Sequence, residues 1–71
     1  MKIRITRVDI DRDGGILTLE QCGFKVGDIV DVDGFLCDGS YCVLAIRNTE
    51  EIRIGDNVSV SDDECEVLDG F

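Results

Sequence analysis

Apolar and polar residues alternate along this chain in short runs separated by Gly, Asp and Asn, a pattern that predicts β-strands joined by turns and leaves no segment for a full helix. Ile3 and Ile5 share one face of a first strand over 2–8. Val8 and Ile10 have the opposite parity, so a bulge near Thr6-Arg7 is predicted to re-aim the strand. A second strand runs from Ile29 to Asp33, with Val30 and Val32 inward and Asp31 and Asp33 outward. Cys37-Asp38-Gly39-Ser40 holds the Asp-Gly pair favoured in hairpin turns. Tyr41 to Ile46 is apolar at every position and is predicted to be the most buried strand. Asn48-Thr49 turns the chain, a short strand is expected about Ile52 and Ile54, and Gly55-Asp56-Asn57 leads into the alternating Val58-Ser59-Val60-Ser61. Ser61-Asp62-Asp63-Glu64 is predicted to cap a single helical turn before a last strand, Cys65 to Leu68. The core expected from these parities is Ile3, Ile5, Val30, Val32, Val43, Leu44, Ile46, Ile54, Val58, Val60, Cys65 and Val67.

One frame occurs twice: Val26-Gly27-Asp28-Ile29-Val30-Asp31-Val32 and Ile54-Gly55-Asp56-Asn57-Val58-Ser59-Val60 both read apolar-Gly-Asp-x-Val-x-Val. Two copies are too few for a solenoid, so each is read locally, as a Gly-Asp turn launching a strand whose valines face the core. At 71 residues the chain makes one domain, 1–71, near the lower limit for burying a sufficient core. Five short strands with a long first loop point to a small, partly open all-β barrel, since closure removes exposed sheet edges.

Charge narrows the set of partners. The net charge is −9, and residues 13–71 hold only Lys25, Arg47 and Arg53 against fourteen acids. Such a surface repels phosphate backbones and anionic membranes, so the expectation is no nucleic acid and no membrane, with a basic protein as the natural complement. The carboxylates predicted to meet it are Asp31, Asp33, Asp38, Asp62, Asp63, Glu64 and Glu66, on turns, outward strand positions and the 62–66 cluster. The N-terminus runs straight into a strand with no apolar signal region, which places the protein in the cytoplasm by expectation. Cys22, Cys37, Cys42 and Cys65 are then read as reduced thiols. With no histidine and no Cys-x-x-Cys pair, neither a zinc site nor a Cys–His nucleophile is expected, and the chain is not read as an enzyme.

Residues 9–20, Asp-Ile-Asp-Arg-Asp-Gly-Gly-Ile-Leu-Thr-Leu-Glu, match the twelve-residue calcium-loop pattern. Asp9, Asp11 and Asp13 stand at ligand positions 1, 3 and 5, Gly15 offers a backbone carbonyl at 7, and Glu20 closes the cage at 12. The flanks are a strand and a Gly-containing segment rather than two helices, so this is an acidic loop on a β scaffold. It is read as a calcium site or as an ordinary acidic turn.

The basic first strand, the long loop, Lys25-Val26-Gly27-Asp28-Ile29-Val30-Asp31-Val32, the strand opening at Tyr41 and the closing Ser61-Asp62-Asp63-Glu64-Cys65-Glu66-Val67 together resemble small SH3-like barrel proteins encoded by phages and prophages. The resemblance implies a cytoplasmic, non-enzymatic accessory protein that binds a host protein. The aromatics are only Phe24, Phe35, Tyr41 and Phe71, without Trp, which departs from grooves that bind proline-rich ligands. Three functions stand side by side: an acidic module that binds, and inhibits, a basic or nucleic-acid-binding host protein; a calcium-binding β domain; and a small structural or assembly subunit. The sequence leaves the oligomeric state open.

Overall fold

A computed structural model describes residues 1–10 and 17–68. Among them are six strands, β1 Lys2–Ile5, β2 Ile29–Asp31, β3 Gly34–Phe35, β4 Tyr41–Leu44, β5 Asn57–Val60 and β6 Cys65–Leu68, with a 3-10 turn at Asp62–Glu64. They form two antiparallel three-stranded sheets, ordered β2-β1-β6 and β3-β4-β5, which are not closed into a barrel. β2 and β3 are two halves of one bent run. The Val32 N–H donates to the carbonyl of Met1 in the first sheet, and the next amide, Asp33, donates to Cys42 in the second. That handover lets so short a chain face two sheets against one core.

Alternation decides most of the burial. Ile3, Ile5, Val30, Val43, Val58, Val60 and Cys65 point inward and are buried, and Val32 is half-buried against them. The all-apolar strand is not buried on both faces, contrary to expectation: Val43 and Ala45 lie in the core, whereas Leu44 and Ile46 are exposed. Its sheet is packed on one side only, so every second residue meets water whatever its polarity. Val67 is exposed although it shares the inward parity of Cys65 and lies opposite Ile3, because its strand stands at the edge of the sheet. Ile54 is exposed as well, because the expected strand about Ile52 and Ile54 does not form and Ile54 occupies a turn.

The space left between the sheets is filled from the long first loop. Cys22 N–H bonds back to Thr18 and Leu19, Phe24 N–H donates to Leu19 O at 2.9 Å, and this compact turn inserts Leu19, Cys22 and Phe24 into the core. The bulge near Thr6-Arg7 is present. Both amides donate to the carbonyl of Glu64, at 2.9 and 3.2 Å, so two residues of one strand oppose one of the other.

The repeated frame is a repeated structure. In Lys25–Asp28 and in Arg53–Asp56 the fourth amide donates to the first carbonyl, and the Asp carboxylate accepts from the first amide at 2.9 Å. Gly27 and Gly55 have φ of 96° and 95°, the left-handed value that a type II turn demands at its third residue. Each turn then docks on a partner strand identically, with Gly27 N–H on Ile5 O and Ile5 N–H on Asp28 O, and Gly55 N–H on Ala45 O and Ala45 N–H on Asp56 O.

Candidate binding surface

Three of the predicted carboxylates converge although they lie far apart in sequence. Asp38 sits on the hairpin turn between β3 and β4, where its carboxylate accepts the Ser40 N–H at 3.0 Å and Leu36 N–H closes the turn onto Ser40 O. Asp62 and Asp63 are exposed on the 3-10 turn. The register Tyr41↔Val60 brings the start of β4 beside the end of β5, so the two turns meet around a shallow depression lined by Asp38, Gly39, Ser40, Ser61, Asp62 and Asp63. An aromatic pair borders it. Phe35 and Tyr41 are opposite one another in register, their ring centroids lie 5.6 Å apart at 57°, and Phe35 is 67% exposed. The Tyr41 hydroxyl donates to Asp62, and this hydrogen bond holds the phenol above its usual range.

The other predicted contact residues stand elsewhere. Glu64 is a correction: it is 1% exposed, with its carboxylate accepting the Ser61 N–H at 3.1 Å and its own N–H returning to Ser61 O, a reciprocal cap that turns the side chain inward. Asp31 and Glu66 are exposed, but each faces a cation across the sheet. Lys2 Nζ lies 2.8 Å from Asp31 and Arg4 2.7 Å from Glu66, so the basic first strand offsets its two neighbours. Hydrogen bonding to Lys2 lowers the Asp31 pKa. Asp33 is exposed at the junction of β2 and β3. The surface where acids gather is thus Asp38, Asp62 and Asp63, and the aromatics beside them went unrecognised in the sequence. Tyr41 read there as the start of a buried strand, and only its register opposite Phe35 on the edge strand β3 brings the two rings together.

Of the calcium-loop residues, Asp11, Asp13 and Gly15 lie outside the described residues. Asp9 and Glu20 are exposed at the loop's neck, where Glu20 N–H donates to Val8 O at 3.1 Å and Arg7 lies 3.5 Å from Asp9. Among the described residues no three Asp, Glu or Cys side chains are grouped so as to hold one ion.

The four thiols are free. Burial, with the nearby charge of Glu64, raises the pKa of Cys22, and burial, with Asp62, Glu64 and Asp63, pushes Cys65 up to about 11. Both are therefore protonated, poor nucleophiles. Cys37 is exposed on the Asp38 turn, and the Cys42 thiol lies 3.7 Å from Asn57.

One ion pair ties the first loop to the segment after β4. Arg47 forks onto Asp28 at 2.6 and 3.2 Å and also donates to Gly23 O at 2.9 Å. Hydrogen bonding to Arg47 is the chief reason why Asp28 is held below the usual carboxylate range. No helix among the described residues is long and apolar enough to cross a membrane. Comparison with protein-family models, with curated proteins and with solved structures finds no match to this chain.

Proposed function

We propose that this protein is a non-enzymatic acidic binding module whose ligand is a basic protein, engaged through Asp38, Asp62 and Asp63 beside the Phe35–Tyr41 pair. The meeting of two acidic turns at an exposed aromatic edge carries this reading. Carboxylates held on turns keep their charge toward solvent. An exposed aromatic face next to them accepts the flat guanidinium or the methylene stem of a basic side chain. With a net charge of −9, long-range attraction speeds encounter with such a partner and disfavours phosphate backbones.

Element order supports a finer reading. If β2 and β3 are counted as one bent strand, five strands, a long first loop and a 3-10 turn before the last strand follow the order of a partly open SH3-like barrel. On that basis the chain is a cytoplasmic accessory protein of the phage-encoded kind, acting as an inhibitor that covers the basic face of a host protein.

Capture from host lysate at rising salt tests the reading. Binding is expected to fall steeply beyond about 0.1 M, where the Debye length is near 10 Å. Reversing Asp38, Asp62 and Asp63 to Lys turns three attractions of about 0.5–1 kcal/mol each into repulsions, so capture weakens by about tenfold or more while circular dichroism is unchanged. A partner held equally at low and high salt and indifferent to these reversals would place recognition elsewhere.

The bond from Glu20 N–H to Val8 O, which closes the loop's neck and brings positions 1 and 12 together, favours calcium as a second reading. Calcium then raises the melting temperature in proportion to the logarithm of its free concentration above the dissociation constant, and Asp9→Ala or Glu20→Ala abolishes the rise. A melting temperature that stays flat to millimolar calcium would leave the loop an acidic turn.

A further inference from the structure

β2 lies at the edge of its sheet, paired only with β1 among the described strands. The bonds from Ile5 N–H to Asp28 O and from Val32 N–H to Met1 O show which positions face β1. In an antiparallel ladder those positions alternate, so Asp28, Val30 and Val32 turn their backbone groups toward β1, and Ile29 and Asp31 turn theirs to the open side. That side carries no Pro and no Lys, and its one charged residue is the acidic Asp31, so the short edge is guarded against another acidic strand but not against a basic one. Beside it runs a groove of about 320 Å³ lined by Ile29, Val30, Val32, Leu44 and Ile46, with the exposed Asp31 and Asp33 as its acidic rim. Ile29, Leu44 and Ile46 are each at least 40% exposed, which is costly for side chains set so close together unless something covers them.

We propose that the free edge of β2 is a strand-addition site that takes an extended segment of a basic protein. The segment's backbone pairs with Ile29 and Asp31, and its apolar side chains lie in the groove against Leu44 and Ile46. Charge selects this occupant. A second copy would bring another Asp31 and Asp33, and another net charge of −9, against the same rim. Lys2 offsets Asp31 on the β1 side only, and Asp33 faces the groove with no cation among its lining residues. A strand whose alternate residues are apolar and basic satisfies the groove and the rim together. This edge is separate from the Asp38, Asp62 and Asp63 surface.

The test uses a labelled heptapeptide of alternating Lys and Val and two isomers of equal charge, N-methylated on every Val amide or on every Lys amide. A strand presents alternate amides to each of its edges, so one isomer is expected to lose binding by tenfold or more while the other keeps it. On binding, the amides of Ile29 and Asp31 gain protection from hydrogen exchange. The exposed-site variant Leu44→Ser weakens binding with no change in fold, and reversal of Asp62 and Asp63 leaves the exchange pattern intact. Equal binding of all three peptides would overturn the proposal, as would unchanged exchange at Ile29 and Asp31. Concentration-dependent dimerisation that shields those amides without peptide would also overturn it, in favour of a second copy.

Discussion

Replacing Phe24 by Ala is expected to leave the protein largely or wholly unfolded at room temperature. The ring is 2% exposed and is among the largest fully buried side chains of the core. Removing it forfeits the transfer free energy of the ring and leaves a cavity that the two small sheets cannot close without losing their own contacts. Such a change costs about 3–5 kcal/mol. A folded chain of 71 residues holds roughly 4–10 kcal/mol in all. The informative control is Ile46→Ala. Ile46 is 40% exposed and lies on the open face, so its loss should cost about 1 kcal/mol or less. Urea titrations followed by circular dichroism rank the two. Phe24→Ala unfolding within about 1 kcal/mol of the parent would show that the long loop does not cover the core in solution.

Arg47→Met is expected to cost about 1–2 kcal/mol and to free the first loop from the segment after β4. It removes a bidentate pair to Asp28 and the donor to Gly23 O. Charge-assisted hydrogen bonds of this kind contribute about 1.5–3 kcal/mol, but the Arg47 side chain is 41% exposed, so solvent screening takes the effect to the lower part of that range. Asp28, at 15% exposed, is the more sheltered partner and keeps its charge in the variant with fewer partners. The pair also carries a pH signature. Because the folded-state pKa of Asp28 is lowered, its contribution is complete above the unfolded value near 3.8 and is lost as pH falls through the lowered folded value. Urea midpoints measured from pH 2.5 to 7 should therefore fall less in acid for Asp28→Asn than for the parent. An unchanged acid slope would show that other carboxylates govern the loss.

Local rules account for much of the fold. Period-two alternation located β1, β2, β5 and β6, and the parity break after Ile5 located the bulge, because each follows from which face a side chain takes on an extended chain. Ser61 to Glu64 announced its own 3-10 turn through the spacing of a capping box. The same motif misled about the surface. Glu64 belongs to an acidic run in sequence, yet the cap that makes the turn draws its carboxylate inside.

The apolar run Tyr41 to Ile46 shows where pattern stops. Hydrophobicity at every position cannot say which face is covered; that depends on how many sheets lie beside it, and here there is one. Leu19, Cys22 and Phe24 carry no period at all, and they are buried because the loop they sit in folds across an open end of the core.

The sequence by itself determined the all-β class, the two Gly-Asp turns, the acidic balance and the inward parity of Ile3, Ile5, Val30, Val58 and Val60, since all of these depend on backbone preference and charge within a few neighbouring positions. Only the tertiary structure decided the rest. It placed Asp38 with Asp62 and Asp63 across the β4–β5 register, paired Asp31 and Glu66 with Lys2 and Arg4, and left the β2 edge open beside Leu44 and Ile46. Each of these joins residues that are distant along the chain, and their proximity is set by strand order and packing, which no local pattern encodes.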